Sequence, residues 1–297
     1  MEKPPYLKKG DKIAIVATAR KITKEEIEFA IATLNFWGLE VVLGDNLFQE
    51  DNQFAGTITQ RLYDLQTALD DESIKAILCA RGGYGTVQLI DELDFSQFQE
   101  QPKWVIGYSD VTVLHNHINQ NFHLQTLHAT MPINFPTTAV ESLTSLKLAL
   151  MDGELKYEFD STSMNREGNA KGVVVGGNLS ILYSLTGTSS QIDTRGKILF
   201  IEDLDEYLYH VDRMMMNLKR AGMLDQLSGL IVGGMSDMND NAIPFGKTAE
   251  EIILDHVAKY DYPVCFNFEA GHTKTNLALV MGAEATLTIG ETCSLVF

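Results

Sequence analysis

A strand with a continuous apolar run, followed by a capped helix and a second such strand, leaves a chain few folds to choose from. Lys12–Ala17 (KIAIVA) is continuous and β-branched, as a strand buried on both faces should be. At Thr23, T-K-E-E forms a capping box with Glu26, and the helix it opens runs to Gly38, a natural residue for ending one. Glu40–Leu43 (EVVL) is then the second strand. The order β-α-β with short connections predicts a right-handed parallel crossover, and so an α/β fold.

The pattern continues. Thr57–Leu69 has apolar residues at helical spacing, Lys75–Ala80 (KAILCA) is a third strand, Thr86–Leu93 is predicted as a helix, and Trp104–Ile106 is a fourth strand. A helix over Val111–Gln120, a fifth strand at Leu124–Leu127 and a helix from Ala139 to about Leu150 follow. Residues 151–171 then turn polar and rich in turn residues, which predicts a linker between an N-terminal domain (1–150) and a C-terminal one (172–297). In the second part, Lys197–Ile201 (KILFI), Gly229–Val232 and Pro263–Phe266 are predicted strands. Tyr207–Ala221 and Thr248–Lys259 are predicted helices, and the last twenty or so residues alternate like a hairpin.

With 297 residues, 45% hydrophobic and 21% charged, the chain has the composition of a globular protein. A net charge of −17 argues against nucleic acid as a partner, because counterion release needs clustered Lys and Arg; an acidic ligand would require a local cation. No stretch approaches the roughly 20 apolar residues of a membrane helix, and the apolar run at Ile13 is too short for a signal peptide. A cytoplasmic location is therefore expected. Cys79, Cys265 and Cys293 show neither C-x-x-C spacing nor a histidine cluster, so buried thiols are expected, with no metal and no cofactor.

Two stretches carry candidate chemistry. In Trp104–Ile118 (WVIGYSDVTVLHNHI) a buried strand meets Gly107, then Ser109, then a helix starting at or after Asp110. Such a strand-turn-helix lifts a hydroxyl out of a sheet and leaves the first helical N–H groups free to face a developing negative charge. Ser109 thus reads as a nucleophile or, blandly, as a helix cap; Val111 stands where a G-x-S-x-G elbow would have its second glycine. The other stretch is Arg81-Gly-Gly-Tyr-Gly85, a loop whose backbone can come close to a ligand, or simply a tight turn. Both follow the C-terminal ends of predicted parallel strands, the edge where open α/β sheets bind ligands.

A serine needs a base, normally histidine, held by a third group. Of the seven histidines, His115 and His117 are expected to point away from the turn, and His256 lies in an amphipathic helix. His272 follows a strand in an aperiodic loop beside Gly271, as an exposed functional histidine would. For the orienting carboxylate, Glu202 at the end of KILFI is the first choice, with Asp203 and Asp205 as competitors. Partners drawn from both domains imply a cleft between them.

Taken together, several elements resemble the LD-carboxypeptidases, the serine peptidase family that also includes the microcin C self-immunity peptidases. They are F-A-G-T-x-x-Q-R at Phe54–Arg61, A-R-G-G-Y-G at Ala80–Gly85, I-G-Y-S-D at Ile106–Asp110, G-G-N-L-S at Gly176–Ser180, F-I-E-D at Phe200–Asp203 and G-H-T at Gly271–Thr273. The resemblance spans nearly the whole chain. It implies a flavodoxin-like parallel N-terminal domain, a smaller β-rich α/β C-terminal domain and a homodimer. It also implies Ser109 as nucleophile, Glu202 as orienting carboxylate and His272 as base, with an oxyanion hole from the N–H groups of Asp110 and Gly83. Arg81 is the candidate for holding a substrate carboxylate. The implied activity is hydrolysis of the bond between an L-diamino acid and D-alanine in cytoplasmic murein tetrapeptides. The alternatives are a peptidase acting on peptidyl-nucleotide antibiotics and a silent small-ligand-binding protein. Two departures, Ala17–Arg20 after the first strand and His128–Met131, bear on substrate preference. The segment Gly187–Arg195 is short, leaving little room for a loop over a nucleotide.

Overall fold

The computed structural model describes residues 1–151 and 153–297. Its first half alternates strand and helix: β1 Lys12–Val16, α1 Lys24–Phe36, β2 Glu40–Leu43, α2 Ile58–Asp70, β3 Ile74–Cys79, α3 Ser96–Glu100, β4 Trp104–Gly107, α4 Thr112–Phe122, β5 Thr126–His128 and α5 Val140–Met151. The Thr23 capping box forms as its spacing predicts, and Gly38 takes φ +89° just past the end of α1. Strands β1 to β5 are parallel in the order 2-1-3-4-5, the flavodoxin-like arrangement.

The second half contains β6 Lys156–Asp160, β7 Gly168–Asn178, α6 Leu179–Ser184, β8 Ile198–Leu204, α7 Leu208–Arg220, β9 Gly229–Ser236, α8 Ala249–Val257, β10 Val264–Cys265, β11 Leu279–Met281, β12 Glu284–Ile289 and β13 Thr292–Val296. Its seven-stranded sheet runs β10-β9-β8-β7-β12-β13-β6, parallel from β10 to β7 and antiparallel beyond.

Three features depart from the sequence reading. Thr86–Leu93 is two 3-10 turns, Thr86–Gln88 and Ile90–Glu92, rather than one helix. The adjacent Leu89 and Ile90 are both buried there, which a helix with a single apolar stripe does not favour. The polar segment 151–171 contains β6 and the start of β7, with Asp152 outside the described residues. β6 is an edge strand with no fully buried side chain, so its composition looks like a loop's. Finally, β11, far along the chain, returns to the first sheet and pairs antiparallel with β5 through Leu279–His128 and Met281–Thr126.

Apolar layers cover both faces of the first sheet, and Trp104, Ile13, Ile15 and Phe98 are wholly buried there. All three cysteines are buried and unpaired. Among the described residues no helix is long and apolar enough to cross a membrane.

Candidate active site

Ser109 follows β4 on a backbone that few non-glycine residues adopt, φ +63°, and a 3-10 turn at Ser109–Val111 leads into α4. A left-handed serine at the end of a strand is strained, and it projects its hydroxyl from the sheet edge. Gly107 makes the bend feasible, because a Cβ there would meet Val111 Cγ2 at 2.7 Å. His115 points away from the hydroxyl, as expected, yet it supports the turn: buried, it contacts the Gly107 carbonyl through Nε2 and Thr126 Oγ1 through Nδ1, both at 2.9 Å. Burial holds its pKa down at about 4, so it stays neutral.

The glycine loop after β3 sits beside this turn. A Cβ on Gly82 would lie 3.0 Å from Ser109 Cβ and 3.2 Å from its Oγ, so the loop approaches the serine at a distance only glycine allows. Beneath it, the Asp110 side chain is buried and accepts the Thr86 N–H at 2.8 Å.

Glu202 lies within β8, one residue past the KILFI run, and is fully buried. His272 lies in the loop after β10. Its Nδ1–H donates to Glu202 Oε2 at 2.6 Å, and its backbone N–H donates to the same oxygen at 3.1 Å. Burial by itself would lower the histidine's pKa, but the charge and hydrogen bond of Glu202 outweigh it, and the net shift is upward. The competing carboxylates are engaged elsewhere. Asp203 accepts from Asn178 Nδ2, Ser180 N and its neighbour Leu204 N, each at 2.9 Å, while Asp205 accepts from Asn239 Nδ2 at 2.8 Å. The G-G-N-L-S motif therefore links the strand carrying Glu202 to the serine's helix, since the Asn178 N–H also donates to Thr112 Oγ1 at 3.0 Å.

Ser109, His272, Gly82, Gly83 and Arg81 all line one cavity of about 460 Å³ between the two sheets. Among the described residues, Ser109 and His272 share no hydrogen bond; the Tyr108 ring packs on the imidazole at 4.8 Å between centroids. Catalytic pairs are often this loose without substrate. Arg81, which lines the cavity, donates from Nη1 to the Lys21 carbonyl at 3.2 Å. Arg20 and Met131, which end the two segments expected to bear on substrate preference, also line the cavity, as does Tyr108, which the sequence did not mark. Arg20 follows β1 on the same sheet edge as the other two loops. A hydroxyl at a strand end, a histidine backed by a carboxylate, a glycine loop and a cation in one cleft are a set of groups that can support acyl transfer from a substrate that ends in a carboxylate.

The profile of the LD-carboxypeptidase N-terminal domain matches residues 13–129, and that of the LD-carboxypeptidase C-terminal domain matches residues 171–287. The chain belongs to the LD-carboxypeptidase family. It is 36% identical to a probable murein peptide carboxypeptidase of Bacillus subtilis, over 97% of this chain and 92% of that one. It is 30% identical to the murein tetrapeptide carboxypeptidase of Pseudomonas aeruginosa, over 93% and 92% of the two chains. The crystal structure of muramoyltetrapeptide carboxypeptidase from Oxalobacter formigenes superposes with a TM-score of 0.88 at 25% identity, covering 96% of this chain and 98% of that one. The family assignment makes the chain a peptidase, and the two-sheet architecture is the family's own.

Proposed function

We propose that this LD-carboxypeptidase is a serine enzyme that releases D-alanine from the L-diamino acid of cytoplasmic murein tetrapeptides. The observation that carries the reading is the shared cavity: a hydroxyl on a left-handed strand-end serine and a carboxylate-backed histidine open onto the same space. In this mechanism His272 Nε2 takes the proton of Ser109 Oγ as the oxygen attacks the scissile carbonyl. Glu202 fixes the Nδ1–H tautomer and stabilises the imidazolium, while the N–H groups of Asp110 and Gly83 receive the oxyanion. His272 then gives its proton to the leaving amine of D-alanine, and water, deprotonated by the same ring, hydrolyses the acyl-enzyme. Arg81 holds the terminal carboxylate.

The murein reading is favoured over the peptidyl-nucleotide one by the place of Gly187–Arg195. That segment folds against α4, with Ser190 Oγ 2.8 Å from His117 Nδ1 and Gln120 Oε1 accepting the Asp193 N–H at 2.9 Å. Among the described residues, none of its members lines the Ser109 cavity.

The test supplies L-Ala-γ-D-Glu-meso-diaminopimelyl-D-Ala to wild type and to Ser109→Ala and assays free D-alanine. Release by wild type alone is expected. Undiminished release by the variant removes Ser109 as nucleophile, and no release by wild type removes the substrate. Cleavage of an aminoacyl-sulfamoyl adenosine instead would turn the assignment to the other peptidase class. Failure to react with a fluorophosphonate as well would point to a binding protein.

A further inference from the structure

Arg61, the last residue of the F-A-G-T-x-x-Q-R element, has no part in the chemistry above, yet it is only 2% exposed. A guanidinium is rarely buried without a purpose that offsets its desolvation. Here Nη1 donates to the Thr18 carbonyl at 2.7 Å and to the Gly85 carbonyl at 3.2 Å, and Nη2 donates to Gln88 Oε1 at 2.8 Å. The guanidinium also lies over the Phe54 ring, 4.9 Å from its centroid. One planar group thus joins the end of β1, the last glycine of the loop and the turn that follows. Gly85 must be glycine for this, since a Cβ there would fall 2.6 Å from Nη1.

The next residue, Thr86, is held from the other side. Its N–H donates to the carboxylate of Asp110, whose backbone directly follows the nucleophile, and its hydroxyl donates to Thr18 Oγ1 at 2.8 Å. Thr18, Arg61, Thr86 and Asp110 are all buried. The two proposed oxyanion donors, the N–H groups of Gly83 and Asp110, come from different loops, and the contacts that fix one loop against the other run through these side chains.

We infer that Arg61 and the Asp110 carboxylate are positioning residues: they set the height of the Gly82–Gly85 loop relative to Ser109, so that the oxyanion hole is assembled before substrate arrives. The inference rests on the proposed serine mechanism. Preorganised donors act on the transition state rather than on the bound substrate, so loosening the loop lowers kcat and leaves KM in place.

The experiment compares wild type, Arg61→Lys and Gln88→Ala. Lysine keeps the charge but cannot span both carbonyls and Gln88, whereas Gln88→Ala frees one arm of the guanidinium from the half-exposed side without opening the core. Each protein is assayed for kcat and KM on the tetrapeptide and for inhibition by the matching tripeptide aldehyde. Ser109 Oγ adds to the aldehyde carbon and its proton passes to His272, which leaves the former carbonyl oxygen as an anion in the hole. Loss of an oxyanion donor costs about 10²–10³ in kcat, so a displaced one is expected to cost on the order of 10–100-fold in Arg61→Lys and about threefold in Gln88→Ala. Aldehyde affinity should fall by the same factors while KM stays within about twofold. Folded variants with wild-type kcat and aldehyde affinity overturn the inference, as does a loss carried by KM. If Arg61→Lys does not fold, Gln88→Ala decides by the same criteria. Ser109→Ala separates the levels: if it still releases D-alanine the underlying mechanism is wrong, and if it is dead while the other variants are unimpaired only the positioning role is wrong.

Discussion

Glu202 meets His272 twice through one oxygen: Oε2 accepts both the Nδ1–H at 2.6 Å and the backbone N–H at 3.1 Å. The carboxylate thus sets where the residue sits as well as how its ring is turned. With 14% of the histidine's side chain exposed and none of the glutamate's, the pair is shielded from bulk solvent, which strengthens the coupling.

A general base must be neutral to act, so activity should fall as pH drops through the pKa of His272. Because Glu202 raises that pKa, the acid limb of kcat/KM is expected above the ordinary histidine value of about 6.5. In Glu202→Gln the larger supporting charge is gone and burial is opposed only by the Asp203 charge, so the limb moves to lower pH, and kcat falls by on the order of 10³–10⁴ because the ring's tautomer is no longer fixed. A pH–rate profile of both proteins checks this. A limb that stays in place means another group titrates there.

The left-handed backbone of Ser109 stores strain that alanine keeps and glycine relieves. Both Ser109→Ala and Ser109→Gly should be inactive, but Ser109→Gly is expected to be more stable than Ser109→Ala by about 1 kcal/mol. Urea unfolding of the two variants measures the difference, and equal stabilities would mean the turn relaxes when the hydroxyl is removed.

Gly271 is held at φ +96°, where an added Cβ would sit 2.5 Å from Glu202 Oε2. Gly271→Ala must therefore displace either the carboxylate or the loop. We expect about 1–3 kcal/mol of destabilisation together with a fall in kcat larger than any change in KM. Thermal unfolding and steady-state kinetics test the two parts. A stable, fully active variant would show that the Glu202–His272 geometry tolerates a shift of this size.

Burial raises the carboxyl of Asp203 to about 7, and the neighbouring Glu202 charge adds to the rise against the pull of its hydrogen-bond donors. A group whose folded pKa is raised contributes stability that is complete below its unfolded pKa, about 3.9, and lost as pH climbs through the folded value. Between about pH 4 and pH 7 this residue therefore lowers stability as pH rises, and Asp203→Asn should flatten that slope. Urea midpoints of both proteins at pH 5 and pH 7.5 provide the comparison; parallel slopes would refute the assignment.

Local signals revealed the strands and the capped helix of the first sheet because burial and capping leave marks on adjacent residues. The candidate site was legible for a related reason: strand-end residues such as Ser109 and Arg81 stand where an apolar run stops. Other features depend on contacts distant in sequence. β11 is three apolar residues whose partner, β5, lies some 150 positions earlier, and nothing local distinguishes it from a second-sheet strand. β6 looks polar because it closes an edge. Arg61 ends the F-A-G-T-x-x-Q-R element, but only the fold reveals that its guanidinium is buried against the Gly85 carbonyl.

The return of β11 also bears on how the molecule could be divided. The loop carrying His272 leaves β10 in one sheet and enters β11 in the other, so the histidine is anchored to both halves by covalent chain. A polypeptide ending at residue 150 would lack the strand that covers β5 and would present it as an unpaired edge, prone to add a neighbour's strand. Because β6–β10 lie between β5 and β11 along the chain, any single cut between those two strands puts β11 on a different fragment from β1–β5, so no one cut divides this protein into its two sheets for reassembly in trans.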